Sequence, residues 1–107
     1  MNHKLKTWPV YFQAVWDGVK TAEIRKDDRG FAVGDTLYLE EWNPTTGTHT
    51  GRRLSATISH IVKGAPFLPA DIAMLSLTGV RRVYICPRCE RPVHVLIANM
   101  CTDCWPG

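Results

Sequence analysis

Hydrophobic and polar positions alternate with a period of two along much of this chain, and that period defines its strands. Leu37 and Leu39 alternate with Tyr38 and Glu40, and Leu54, Ala56 and Ile58 alternate with Ser55, Thr57 and Ser59. The two runs predict strands over 36–42 and 53–62. A Pro/Gly loop over 43–47 joins them as a long hairpin, with 48–51 continuing the loop or fraying into strand. Apolar runs at 72–77 and 80–85, separated by Thr78-Gly79, predict two further extended segments. Residues 63–69 between them and the hairpin form a Gly/Pro-punctuated loop whose Phe67 and Leu68 are expected to dock on the body.

One early stretch departs from this period. Tyr11, Ala14, Val15 and Gly18 recur at helical spacing, as do Phe12, Val15, Trp16 and Val19. Pro9 suits the first helical position, where its missing N–H costs nothing, and Gly18 suits a left-handed end after Asp17. The segment before it, residues 4–8, reads as extended. The segment after it, residues 21–26, alternates again. Ala22 and Ile24 are expected on the core face and Thr21, Glu23 and Arg25 on the other, with Lys20 at the mouth. Turn chemistry follows at Lys26-Asp27-Asp28-Arg29-Gly30 and at Val33-Gly34-Asp35. The sum is an α+β, mostly β, barrel-like domain of four to six short strands with one N-terminal helix.

Composition narrows this picture modestly. A chain of 107 residues supports one small domain with an appendage. No apolar run approaches the eighteen or so residues of a membrane span, so no membrane partner is expected. The first residues lack the apolar core of a signal peptide, so the expected location is cytoplasmic. The formal charge of +3 is too small to specify a partner by itself.

The four cysteines form two C-x-x-C units, Cys86/Cys89 and Cys101/Cys104, with eleven residues between them. Each unit puts two sulfurs on one side of a tight turn, and two units supply four tetrahedral ligands for one structural zinc. A redox site would need only one unit, and disulfides are disfavoured in the cytosol. The tail over 84–107 therefore reads as a compact zinc ribbon, with His94 outside the ligand set. A closed four-cysteine site stabilises a fold rather than doing chemistry. Zinc held by four thiolates would lower the net charge to about +1, so any anion site must come from local clustering of bases.

Three motifs occur in order over residues 3–83. They are the strand Lys20-Thr21-Ala22-Glu23-Ile24-Arg25-Lys26, the turn Val33-Gly34-Asp35, and the hairpin Trp42-x-Pro44-x-Thr46-Gly47-x-x-Thr50-Gly51-Arg52. Together they resemble the ASCH domains of the PUA-like superfamily, and within it a small bacterial and phage branch of unknown function. The resemblance implies an ASCH domain over 1–83, with the zinc ribbon over 84–107 as an addition. It implies a small β-barrel with a cleft between barrel and helix, lined by the Gly-x-Lys-x-x-Glu-x-Arg strand, and binding of RNA or nucleotide derivatives. Some members deacylate acetylated cytidine. Their motif lysine matches Lys20, but their threonine nucleophile falls at Glu23, with Thr21 two residues earlier. Residues 63–77, where their catalytic glutamate would lie, contain Asp71 as the only acid.

Three functions fit these residues. In the first, the chain binds RNA or a nucleotide derivative. Lys20, Arg25 and Lys26 meet phosphate with help from Arg52 and Arg53, and Glu23 accepts from an exocyclic amine. Trp8 and Trp42 then offer stacking faces, while Trp16 on the helix arc belongs to the core. In the second, a hydrolase acts on a modified nucleoside such as an acylated cytidine through Lys20, Thr21 and Glu23. Glu23 three residues from Lys20 favours a charged lysine and argues against that role. In the third, a host or partner protein docks on the zinc ribbon. Binding is favoured over catalysis.

Overall fold

A computed structural model describes residues 1–85 and 92–94 of the chain. The elements in order are strand β1 (Asn2–Thr7), helix α1 (Pro9–Trp16), and strands β2 (Ala22–Lys26), β3 (Thr36–Asn43), β4 (Thr48–Lys63), β5 (Ile72–Ile85) and β6 (Pro92–Val93). The four cysteines of the expected zinc ribbon, Cys86, Cys89, Cys101 and Cys104, lie outside the described residues.

The sheet runs β1-β3-β4-β5-β2, with β6 added at the C-terminal end of β5. It curls into a half-barrel, mostly β with one short helix. Leu37 and Leu39 of β3 and Leu54, Ala56 and Ile58 of β4 are buried together, as their alternation predicts. Leu5, Ala73, Leu75 and Leu77 extend this inner face, and Phe12 and Val15 of α1 join the same core. Burying each of these larger side chains stabilises the fold by about 1.5–3 kcal/mol before entropy is counted.

α1 is built as its sequence suggests. Pro9 occupies the first turn behind Trp8, and Gly18 follows the Asp17 cap at φ +77°, a conformation that a Cβ would disfavour. The amides of Val19 and Lys20 then both donate to the Ala14 carbonyl, at 3.1 and 3.0 Å. That wrap fixes where Lys20 leaves the helix. The apolar arc is narrower than expected: Phe12 and Val15 are buried, while Tyr11 and Val19 are exposed.

Four further points refine or correct the expectations. First, the segment read as extended is a full strand, β1, and it pairs in parallel with β3, His3 opposite Leu37 and Leu5 opposite Leu39. Such a pairing joins segments far apart in the chain and leaves little local signal. Second, 72–85 is one strand rather than two. Gly79 does not end it but forms a bulge at φ +61°, because Ser55 pairs with Arg81 and Thr57 with Thr78. The same continuity holds in β4, which begins at Thr48. Third, Phe67 does not dock; it is 84% exposed.

The fourth correction concerns β2. The alternation is present, but its sides are reversed. Glu23 is 4% exposed and Ile24 is 63% exposed. A carboxylate can take the inner position only when it is paired there, and the site described next supplies the partners. β2 is also an edge strand that pairs only with β5 among the described strands.

Candidate functional site

β1 and β2 are the two edges of the sheet, and they face each other across the open side of the half-barrel. No backbone ladder closes this seam among the described residues; arginine side chains span it instead. Arg25 Nη2 donates to the Lys6 carbonyl at 2.9 Å and to Thr7 Oγ1 at 3.3 Å. Arg29 Nη1 donates to the Lys4 carbonyl, one pleat further along β1. A cleft of about 490 Å³ lies at this seam, between β1, the start of α1 and β2.

Glu23 sits in the wall of the cleft between two cations. Lys20 Nζ donates to Glu23 Oε1 and to the Ala22 carbonyl, and Arg25 Nε donates to Glu23 Oε2 at 3.1 Å. The Lys20 and Arg25 side chains remain about a quarter exposed, while that of Glu23 is almost fully covered. The strand period aligns Glu23 with Arg25, and the helix-terminal wrap brings Lys20 back toward them. Lys6 adds a third cation to the lining, so the cleft carries three positive groups and one negative group. Its lining is therefore net positive.

Part of the lining is aromatic. Trp8, the residue that caps α1, is 53% exposed, and its ring stacks with Tyr11 at 6.4 Å between centroids and 28° between planes. Apolar contact on the remaining side comes from Ile24 and Met74, which face each other in the β2–β5 register. The volume and the mixture of apolar walls with a few convergent polar groups match those of small-ligand sites.

Of the residues singled out in the sequence, the fold thus brings Lys20, Glu23, Arg25 and Trp8 into one cleft. Thr21 is exposed beyond its lining, with its carbonyl engaged by the Leu77 amide, and Lys26 is exposed at the far end of β2. Trp42 is not part of the cleft lining; Lys6 Nζ lies 3.9 Å from its ring centroid and His49 packs edge-on. Arg52 and Arg53 lie on the β3–β4 hairpin, in ion pairs of their own. Arg53 donates to Glu40 at 3.1 Å. Arg52 donates through Nε and Nη2 to the two oxygens of buried Glu41, at 2.9 and 2.8 Å. The Arg52 guanidinium holds the Glu41 carboxyl below the usual carboxylate range, and Glu41 in turn raises Arg52. This pairing fills a break in the ladder between Glu40 and Trp42, so it staples the hairpin.

Lys6, Thr7 and Tyr11 are cleft residues that the sequence motifs omit. Thr7 carried a faint signal: it continues the inward series His3, Leu5, Thr7 along β1. Away from the cleft, the Val33-Gly34-Asp35 turn has a structural task. Asp35 accepts from buried His3 at 2.8 Å and from the Ala32 amide at 3.1 Å, which ties β1 to the start of β3.

Among the described residues no helix is long and apolar enough to cross a membrane. Residues 2–77, which contain every cleft residue named above, match the family model described as a domain of unknown function, DUF3850. An uncharacterized 12.9 kDa protein in the GpA 3' region of Escherichia phage P2 is 36% identical over 77 residues, covering 72% of this chain and 69% of that protein. By that match over most of its length, the chain belongs to the DUF3850 family.

Proposed function

We propose that the seam cleft binds a nucleotide unit, within RNA or as a free derivative, and that the chain is a recognition module rather than a hydrolase. The observation that carries this reading is the buried Glu23 carboxylate, flanked by Lys20 and Arg25 in a cleft that the stacked Trp8–Tyr11 pair also lines. Lys20 and Arg25 occupy two of the roughly four lone-pair positions of the carboxylate, which leaves acceptors for a base amine. The flanking cations then meet a ring acceptor, a carbonyl or a phosphate. Base stacking on the exposed face of Trp8 supplies sequence-tolerant affinity.

Two placements support recognition over hydrolysis. Lys20 is already engaged by a carboxylate and a carbonyl, and Thr21 stands outside the cleft lining. In this reading the domain over 1–83 is an ASCH-type PUA-like barrel, supported by the chain order of helix, Lys20–Arg25 strand and Val33-Gly34-Asp35 turn and by a cleft that the helix bounds. The tail over 84–107 is a zinc ribbon, supported by the donor chemistry of two C-x-x-C units. Cys86, Cys89, Cys101 and Cys104 would hold one zinc that supplies folding energy to a segment too short for its own core. The protein works in the cytoplasm, where such thiolates persist.

The test is a panel of nucleotides, modified nucleosides and short RNAs titrated into zinc-replete protein, with the ligands recovered and analysed. We expect binding that weakens with salt and disappears in Lys20→Ala and Arg25→Ala, with every ligand recovered unchanged. Turnover of an acylated cytidine that Lys20→Ala abolishes would replace this reading with the hydrolase. Absence of binding, with a host protein retained through residues 84–107, would replace it with a protein-docking role. Elemental analysis of the same reduced protein should give one zinc per chain, and a metal-free product would overturn the ribbon.

A further inference from the structure

At the other end of α1 from the cleft, the surface changes character. Two adjoining grooves of about 220 and 340 Å³ share Trp16 and Arg82 as common walls. Arg81 lines one of them, and Arg52, Arg53 and Tyr84 line the other. Trp16, assigned by its spacing to the core, is only partly buried. Its outer face carries the Arg82 guanidinium, 3.6 Å from the ring centroid.

The charges in this patch are unequal. Arg52 and Arg53 are matched by Glu41 and Glu40, so their ion pairs offset each other. Among the described residues Asp17 adds a carboxylate near Arg52, and Arg81 and Arg82, both exposed, leave the patch net positive. The stacking of Arg82 on Trp16 also fixes a geometry. With its face against the indole, a guanidinium directs its N–H donors outward around its rim, where they match the paired oxygens of a phosphodiester. An arginine held this way has already given up much of the freedom that binding would cost it.

The helix sets the separation. Trp8 in the cleft and Trp16 in the groove are eight residues apart, which along a helix is about 12 Å. We infer that the Trp16–Arg82 groove, with Arg81, is a second subsite that takes the phosphodiester backbone of the strand whose base occupies the cleft. This inference rests on the nucleotide reading of the cleft and sharpens it: the ligand is a single-stranded RNA segment rather than a free nucleoside. Arg81 and Arg82 grip the backbone, and the cleft reads one nucleotide.

The test uses the full zinc-replete chain, a mononucleotide, and single-stranded RNA and DNA of about 12 nucleotides, within the range of common single-strand sites. The variants are Arg81→Gln/Arg82→Gln and the charge-keeping Arg81→Lys/Arg82→Lys, each checked for wild-type circular dichroism. For RNA, the glutamine pair should bind about tenfold more weakly, with a salt slope shallower by about 1.4, or about 0.7 for each phosphate no longer neutralised. The lysine pair should keep the slope, and mononucleotide affinity should be unchanged in both. Unchanged RNA affinity and slope in the glutamine pair, with the mononucleotide still bound, would overturn the second subsite and leave the cleft reading standing. RNA binding that the glutamine pair abolishes, in a protein that never binds the mononucleotide, would support the groove and overturn the cleft. An equal reduction for DNA supports a backbone grip that ignores the 2′-hydroxyl. Failure of the wild type to bind either strand overturns both.

Discussion

Substituting Glu23 by glutamine removes one charge and almost no volume from the centre of the cleft. The wild-type carboxylate side chain is 5% exposed, and those of its partners Lys20 and Arg25 are 27% and 25% exposed. Removing one member of a fully buried ion pair costs about 3–5 kcal/mol, because the other is left without compensation. An exposed pair is worth under about 1 kcal/mol. Here most of each cation is covered while water still reaches its tip, and glutamine keeps one acceptor. The cost should fall between the limits, at about 2 kcal/mol. For a chain of this size that is a drop in Tm of about 8 °C. Urea unfolding followed by tryptophan fluorescence measures it. The combined variant Lys20→Met/Glu23→Leu/Arg25→Met removes all three charges and should recover at least half of that stability, while abolishing ligand binding. If Glu23→Gln unfolds within about 0.5 kcal/mol of the wild type, the carboxylate is not held between the two cations and the inward placement of β2 is wrong.

Three further outcomes follow from the same contacts. The His3 contact at Asp35, aided by the Ala32 amide, holds that carboxyl down at about 2 from an ordinary 3.8. Its folded value is the lower one, so its contribution is complete above the ordinary value and fades as pH falls toward 2. Acid titration of stability should therefore be shallower in Asp35→Asn than in the wild type, and identical slopes would refute this. Gly79→Ala meets no atom within 4 Å but must hold φ +61°, so it should cost about 1–2 kcal/mol in urea unfolding, and Gly79→Asn less. Arg52→Ala strands the buried Glu41 carboxylate and should cost about 1–2 kcal/mol, with little effect on mononucleotide binding because Arg52 is not a cleft residue.

The centre of the fold is legible in the sequence and its edges much less so. Leu37/Leu39 and Leu54/Ala56/Ile58 reveal β3 and β4 because one face of each is buried and the other is not. Pro9 and Gly18 mark the helix because each has a local dihedral reason to be there. For β2 the period identifies two sets of side chains but not which set faces inward. Ala22 and Ile24 look like the core set by polarity, yet Glu23 takes the interior because Lys20 lies three residues before it and Arg25 two after. The same short stretch carries both the wrong face and most of the candidate site, since Lys20, Glu23 and Arg25 all stand in it. Gly79 reads as a stop because an isolated glycine in a strand pattern is equally a terminator or a bulge. Lys6 and Thr7 escape the sequence motifs because only the closing of β1 against β2 brings them to Arg25, and Tyr11 because α1 borders the same cleft; no local pattern records that approach.

The most direct test of the seam cleft as a nucleotide site is a map of ligand contact on isotope-labelled protein by two-dimensional NMR. Titration with a mononucleotide should shift the indole N–H of Trp8, the hydroxyl-bearing ring of Tyr11 and the amides of residues 20–25 together, saturating at one ligand per chain. If binding occurs and those signals stay fixed while signals elsewhere move, the seam cleft is not the site and the function proposed for it is wrong.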